Sequence, residues 1–388
     1  MGFFINTDQA STASPKAPSV GEAMMKFIDA GAFNAARGIY DGAFDTEAMI
    51  YRTREQLANL FDAPKIKNVT FSSGVTMALN VLFYGILKNG DHVICSSVEH
   101  NAVIRPLTQL RNEGRIEFSI AATDKAGRLD PEKIVDLIEP KTKMVVVTAA
   151  SNVIGTCLPL KEIGQICKER GILFAVDSAQ AAGTIPLSML KESIDVLAIT
   201  GHKGLLGPQG VGALLLSEKA AELIEPVICG GTGSFSNIET MPQALPDRLE
   251  AGTLPLPAIA GLSAALDWLE TEGISTIQQH KADLTAQFLR RMNAISGVRI
   301  FGIADPDARE ERVAVVSLQL EGMDSAEFSQ RLAEAGVLTR VGLHCAPRAH
   351  QTIGSYPEGT VRFSFAYNHS LSDIDKVADI IETIAQEV

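Results

Sequence analysis

Short apolar runs alternate with segments of helical periodicity through the first two thirds of the chain. Residues 68–71, 92–95, 144–147, 172–176, 196–199 and 211–216 read as strands. Several are apolar at successive positions, as strands covered by helices on both faces must be. Residues 159–170 show the intervening pattern: Leu160, Ile163 and Ile166 share one side and Gly171 closes the helix. This alternation predicts an α/β domain built on a mostly parallel sheet. The Pro- and Gly-containing stretch 242–257 breaks it. Beyond that stretch, 258 to about 295 is predicted helical, and 313–320 and 360–366 are predicted strands among amphipathic helices, typical of a smaller α+β domain.

At 388 residues the chain suits one large domain plus a smaller one, and 46% hydrophobic residues are enough for a sizeable core. Lys and Arg total 34 against 46 Asp and Glu, a net charge of −12 that disfavours nucleic acid and anionic membranes as partners. A small-molecule enzyme fits better. The cysteines (Cys95, Cys157, Cys167, Cys229, Cys345) are odd in number and scattered, with no CxxC pair. Neither a structural zinc site nor a disulfide framework is expected, and no metal. Free thiols, the absence of a signal-peptide pattern at Met1–Asn6 and apolar runs too short for a bilayer predict a cytoplasmic protein.

Ligands of open α/β sheets bind beyond the carboxyl ends of the strands, so the residues that follow each strand carry the chemistry. They are Ser72-Ser73-Gly74-Val75-Thr76, Ser97-Val98-Glu99-His100-Asn101, Ala149-Ala150-Ser151-Asn152, Asp177-Ser178-Ala179-Gln180 and Thr200-Gly201-His202-Lys203-Gly204. Taken singly, each is as well explained by helix capping; together they describe a pocket. Small residues opening a helix after Ser72 leave backbone N–H groups for an anion. A lysine among glycines at 201, 204, 207 and 210, once desolvated, is able to form a Schiff base. A carboxylate ending a neighbouring strand, Asp177, is the partner that a protonated pyridine nitrogen requires. The set meets the needs of pyridoxal phosphate. No GxGxxG opens a helix after an early strand, which disfavours a dinucleotide oxidoreductase.

The runs Ser-Asn-Val-Ile-Gly-Thr (151–156), Val-Asp-Ser-Ala-Gln (176–180) and Thr-Gly-His-Lys-Gly (200–204) resemble the fold-type I, class V aminotransferase group. Gly342-Leu343-His344-Cys345-Ala346-Pro347 and Gly359-Thr360-Val361-Arg362-Phe363-Ser364 narrow the resemblance to cysteine desulfurases and selenocysteine lyases of the SufS-like branch. The segment 8–16 is similar to that family's N-terminal motif, so the resemblance covers almost the whole chain. It implies a pyridoxal-phosphate fold with an N-terminal segment (1–20) packed on the small domain, a large domain (21–257) and a small domain (258–388). It makes Lys203 the cofactor-bearing lysine and base, Asp177 the partner of the pyridine nitrogen, His100 the stacking group and Gln180 the contact of the phenolic oxygen. Asn152 lies beside cofactor and substrate carboxylate. Val75, Thr76, Thr200 and His202 hold the phosphate, Thr253 reaches it across a homodimer interface, and Arg362 grips the substrate carboxylate.

Cys345 separates two chemistries. With Gly342, Pro347, His344, Arg348 and His350 nearby, it is expected on an exposed loop in an electropositive setting. Cys95, Cys167 and Cys157 read as small buried hydrophobes; Cys229, beside a glycine-rich loop, is open to either reading. By resemblance, Cys345 receives sulfur from L-cysteine and passes it to an acceptor protein, while L-selenocysteine follows a similar route to alanine and selenide. His344 and His100 are equal candidates for its activating base. An aminotransferase, epimerase or β-eliminating lyase, with Cys345 incidental, is the alternative within the superfamily, and a cofactor-binding sulfur carrier the one outside it. Three positions depart from the family pattern: Leu343 for a histidine, Gln9 for an asparagine and Val75 for a phosphate-binding threonine.

Overall fold

The computed structural model describes residues 4–35 and 38–388; Met1–Phe3, the start of the expected N-terminal segment, lie outside the described residues. Its strands are β1 (Ile5–Asn6), β2 (Val69–Ser72), β3 (Asp91–Ser96), β4 (Ile116–Ala121), β5 (Thr142–Thr148), β6 (Leu173–Asp177), β7 (Val196–Thr200), β8 (Gly212–Leu216), β9 (Val298–Phe301), β10 (Val315–Leu320), β11 (Val337–Leu338), β12 (Arg340–Gly342) and β13 (Thr360–Ser364). A seven-stranded sheet has the order β2-β8-β7-β6-β5-β3-β4. β8 runs antiparallel to both its neighbours, and the remaining pairs are parallel. Side chains alternate between the two faces. Val145, Val147, Leu197 and Ile199 enter one core, while Met144, Val146, Val196 and Ala198 enter the other. This is why these strands are apolar throughout.

The small domain is an antiparallel sheet in the order β12-β13-β10-β9 with its own core around Phe288, Phe328 and Phe363. Ahead of both, the N-terminal segment joins the two domains. β1 pairs with β11 of the small domain, and farther along Ala13 N–H donates to the carbonyl of His202 on the large one.

One expectation changes. The helical stretch 258–295 is two helices, Leu256–Glu272 and Ile274–Ala294, because Gly273 at φ +80° cannot continue the first. Packing runs across the expected division at 257/258. Ile259, Leu262, Leu266 and Leu269 share the core of Val145 and Leu197, whereas Leu284 is the first residue of this stretch in the core of Phe288 and Phe363. The apolar side of the helix Leu256–Glu272 therefore packs on this chain's own core. Strand β4, at the edge of the sheet, had no counterpart in the sequence reading. No helix among the described residues is long and apolar enough to cross a membrane.

Candidate active site

The strand ends converge on one cavity of about 470 Å³. Ser73, Gly74, Val75, Thr76, His100, Asn152, Asp177, Gln180, Thr200, His202 and Lys203 all line it. At one end the helix Val75–Ile86 begins without any side-chain cap; its N-cap Gly74 sits at φ 145°, a conformation other residues rarely adopt. Backbone N–H groups of the first turn are thus left for an anion, with Thr76 exposed beside them and the Thr200 hydroxyl behind Gly74. His202 bonds through Nδ1 to Thr12 Oγ1 at 3.1 Å, and burial lowers its imidazole to about 4.

At the other end Asp177 is buried to 1% exposure, and among the described residues its carboxylate accepts only the Ala179 N–H, at 2.9 Å. Burial pushes its carboxyl up, opposed by that N–H and by Lys203. A cation against this carboxylate would relieve the cost of burying it. Burial brings the Lys203 amine down to about 8, with Asp177 pulling the other way. His100 caps the helix Asn101–Asn112 by accepting from Ala102 N–H at Nδ1, which leaves Nε2 as the protonated nitrogen. Burial, with Lys203 nearby, holds this ring neutral, at about 4. Capping and pocket-lining, alternatives in the sequence, are here one arrangement. Gln180 donates from Nε2 to the carbonyl of Ala10 at 3.0 Å. An uncapped helix N-terminus, a buried carboxylate and a desolvated amine fit pyridoxal phosphate, with its phosphate, ring nitrogen and aldehyde.

Behind the wall, Arg362 on β13 is 3% exposed. It donates from Nη1 to the carbonyl of Asn152 at 3.0 Å and from Nη2 to Asp8 Oδ1 at 3.0 Å and Ser11 Oγ at 2.9 Å. Cys345 is exposed and His344 buried, and both hold positive φ (57° and 49°). Three bonds hold this left-handed turn. Cys345 O accepts from Asn101 N–H at 2.8 Å, His344 O accepts from Asn152 Nδ2 at 2.7 Å, and His344 Nε2 meets Thr360 Oγ1 at 3.0 Å. Two of the holders belong to the cavity wall: Asn101 follows directly on His100, and Asn152, in the loop after strand β5, lines the cavity itself. The turn thus sits at the rim of the cavity.

The histidines near Cys345 do not supply the expected positive setting. His350 is fully buried, and His344 is pushed down to about 2 by burial, with Arg362 adding to the effect. Thr360 gives its proton to Ser317 Oγ, so it accepts from His344, and the buried Nδ1 of His344 has no partner. His344 therefore points away from the role of base. Positive charge comes instead from Arg362 and from Arg340, which faces it across the β12–β13 pair. Sequence reading gave no role to Arg340, Asp8 or Ser11; the Arg–x–Gly spacing before the cysteine turn was the available sign. Thr253 is exposed and lines a separate cavity with Arg54, Glu250 and Thr232, so within one chain it is not brought to the Lys203 cavity. Cys95 and Cys167 are buried, Cys157 is half-buried and Cys229 is exposed. Among the described residues no group of three or more His, Cys, Asp or Glu is placed to hold a metal ion.

Comparison with known proteins agrees with this geometry. The aminotransferase class-V family model matches residues 5–377. A probable cysteine desulfurase of Methanothermobacter thermautotrophicus is 31% identical over 97% of this chain and 94% of its own length. A cysteine desulfurase of Haloferax volcanii is 29% identical over 97% and 88%. Among solved structures, the apo cysteine desulfurase of Thermococcus onnurineus superposes with a TM-score of 0.92 at 26% identity, covering 99% of this chain and 95% of that one. The cysteine desulfurase CsdA of Escherichia coli gives 0.87 at 27% identity over the same shares. The chain belongs to the class-V aminotransferase family, among its cysteine desulfurases.

Proposed function

We propose that the protein is a pyridoxal-phosphate-dependent cysteine desulfurase that converts L-cysteine to L-alanine and retains the sulfur as a persulfide on Cys345. The observation that carries this reading is the exposed Cys345 on a left-handed turn, tied through Asn101 and Asn152 to the rim of the Lys203 cavity.

Pyridoxal phosphate, when bound, supplies an electron sink for the pair released at the substrate α-carbon. Lys203 holds it and takes the α-proton at Nζ, a task suited to an amine lowered to about 8. With the cofactor bound, Asp177 would pair with its ring nitrogen, His100 would stack on the ring and Gln180 would meet the phenolic oxygen. Val75 N–H, Thr76, Thr200 and His202 would hold the phosphate; in a homodimer, Thr253 would reach the phosphate of the second copy. Arg362 and Asn152 fix the substrate carboxylate. Cys345 Sγ then attacks the substrate sulfur. An S–S bond forms, the Cβ–S bond breaks, and its electron pair stays with the carbon, which takes a proton and leaves as alanine. No external oxidant is needed. An acceptor protein then removes the sulfur, in the cytoplasm, where free thiols stay reduced.

Alanine release from L-cysteine, with Cys345→Ala alongside, tests the proposal. Alanine that disappears in the variant is expected. Unchanged release in the variant makes Cys345 incidental, and alanine from L-selenocysteine alone makes the protein a selenium-specific lyase. None from either substrate defeats the reading and points to another amino acid.

A further inference from the structure

The Arg362 guanidinium is only half committed. Nη2 is held by Asp8 and Ser11, yet Nε, on the same edge of the fork, is buried without a partner. A carboxylate bound in bidentate fashion uses one such edge, taking Nε–H and an Nη2–H together. One of these two donors is open and the other is occupied by the chain's own carboxylate.

We infer that Asp8 is a positioning residue that occupies Arg362 between turnovers and gives up Nη2 to the incoming substrate carboxylate. This rests on the reading that Arg362 grips that carboxylate. Three observations support it. Arg362 faces Arg340 across the β12–β13 pair, so a resting anion is needed beside two like charges. The Asp8 side chain is 25% exposed while that of Arg362 is 3% exposed, so the acid reaches water far more readily than the base. The segment around Asp8 is anchored on both sides, by Asp8 N–H to Asn6 Oδ1 and by Ala10 N–H to Ser364 Oγ. Exchange then needs only rotation of the Asp8 side chain, away from the Ser11 hydroxyl that donates to it at 2.6 Å. Ser11 itself lines the cavity. A substrate must therefore bring its own carboxylate to replace that of Asp8, which selects α-amino acids over the corresponding amines.

The test uses the cofactor-loaded enzyme, Asp8→Asn, Ser11→Ala and Arg362→Lys. KM for L-cysteine is measured, together with the dissociation constant of L-alanine by calorimetry. Asp8→Asn is expected to lower both constants about two- to fivefold, the size of one partly exposed charge contact, with the effect on KM rather than on kcat. Ser11→Ala, which frees Asp8 without removing it, is expected to lower them less. Constants that rise or stay level in Asp8→Asn overturn the inference and make Asp8 a prop that orients Arg362. Should that variant fail to fold, level or rising constants in Ser11→Ala overturn it equally. Failure of the underlying reading looks different: the unmodified enzyme releases no alanine, or Arg362→Lys leaves KM and alanine binding unchanged.

Discussion

Asn152 donates from Nδ2 to the carbonyl of His344 at 2.7 Å, while its own backbone carbonyl accepts from Arg362 Nη1 at 3.0 Å. One residue in the loop after β5 therefore fastens both the turn that presents Cys345 and the arginine beneath it.

Asn152→Ala removes the amide that steadies the turn. Loss of one buried hydrogen bond costs about 1–2 kcal/mol, so persulfide formation on Cys345 in a single turnover is expected to slow roughly tenfold. Cofactor absorbance should persist. An unchanged rate, read by mass spectrometry of trapped Cys345, would mean that Asn101 and Thr360 hold the turn without it.

Thr360→Val leaves the His344 Nε2–H buried without an acceptor and strips a donor from Ser317. Stability should fall by about 1–3 kcal/mol, measured as a lower denaturant midpoint at unchanged m. Thr360→Ser should restore most of it.

Asp177→Asn replaces a buried charge with a neutral amide of the same shape. A charge-assisted hydrogen bond is worth about 1.5–3 kcal/mol, so cofactor affinity is expected to drop about ten- to a hundredfold. Equilibrium dialysis against pyridoxal phosphate reads this directly; retention of full affinity would remove Asp177 from the proposed site.

Glu99 gives a pH prediction. Burial raises its carboxyl to about 8, although Ser96 Oγ and Thr148 N–H both donate to Oε1. Oε2 is buried without a partner. Between the ordinary carboxylate range and pH 8 the folded state holds a proton that the unfolded state has lost. Stability contributed by this group therefore declines as pH rises through that window. Glu99→Gln cannot lose the proton, so its stability relative to the parent should increase from pH 5 to pH 8 in urea titrations. A constant difference across that range would show that Glu99 is ionised when folded.

Legibility in the sequence followed the physics of burial. Strands β2, β3, β5, β6, β7 and β8 announce themselves because strands covered on both faces leave few polar positions. β4 does not: it lies at the sheet edge, and four of its six residues are partly or fully exposed. The polar residues after each strand were readable as a pocket because parallel strands end on one side. The Asp8–Arg362 pair joins residues 354 apart in the chain, and the inward turn of His344 depends on Thr360, sixteen residues away. Local spacing carries neither. Gly273 was visible as a residue, but only its backbone angle splits the helical stretch in two.

The left-handed turn at His344 and Cys345 also sets stability against turnover. Glycine in place of His344 would adopt φ +49° without steric strain, and it would abolish the imidazole's anchor on Thr360. A selection for thermal endurance would favour that change wherever the relieved strain outweighed the lost anchor. Its survivors would carry a sulfur-bearing loop free to wander, so breeding this enzyme for robustness and breeding it for speed would pull the same codon in opposite directions.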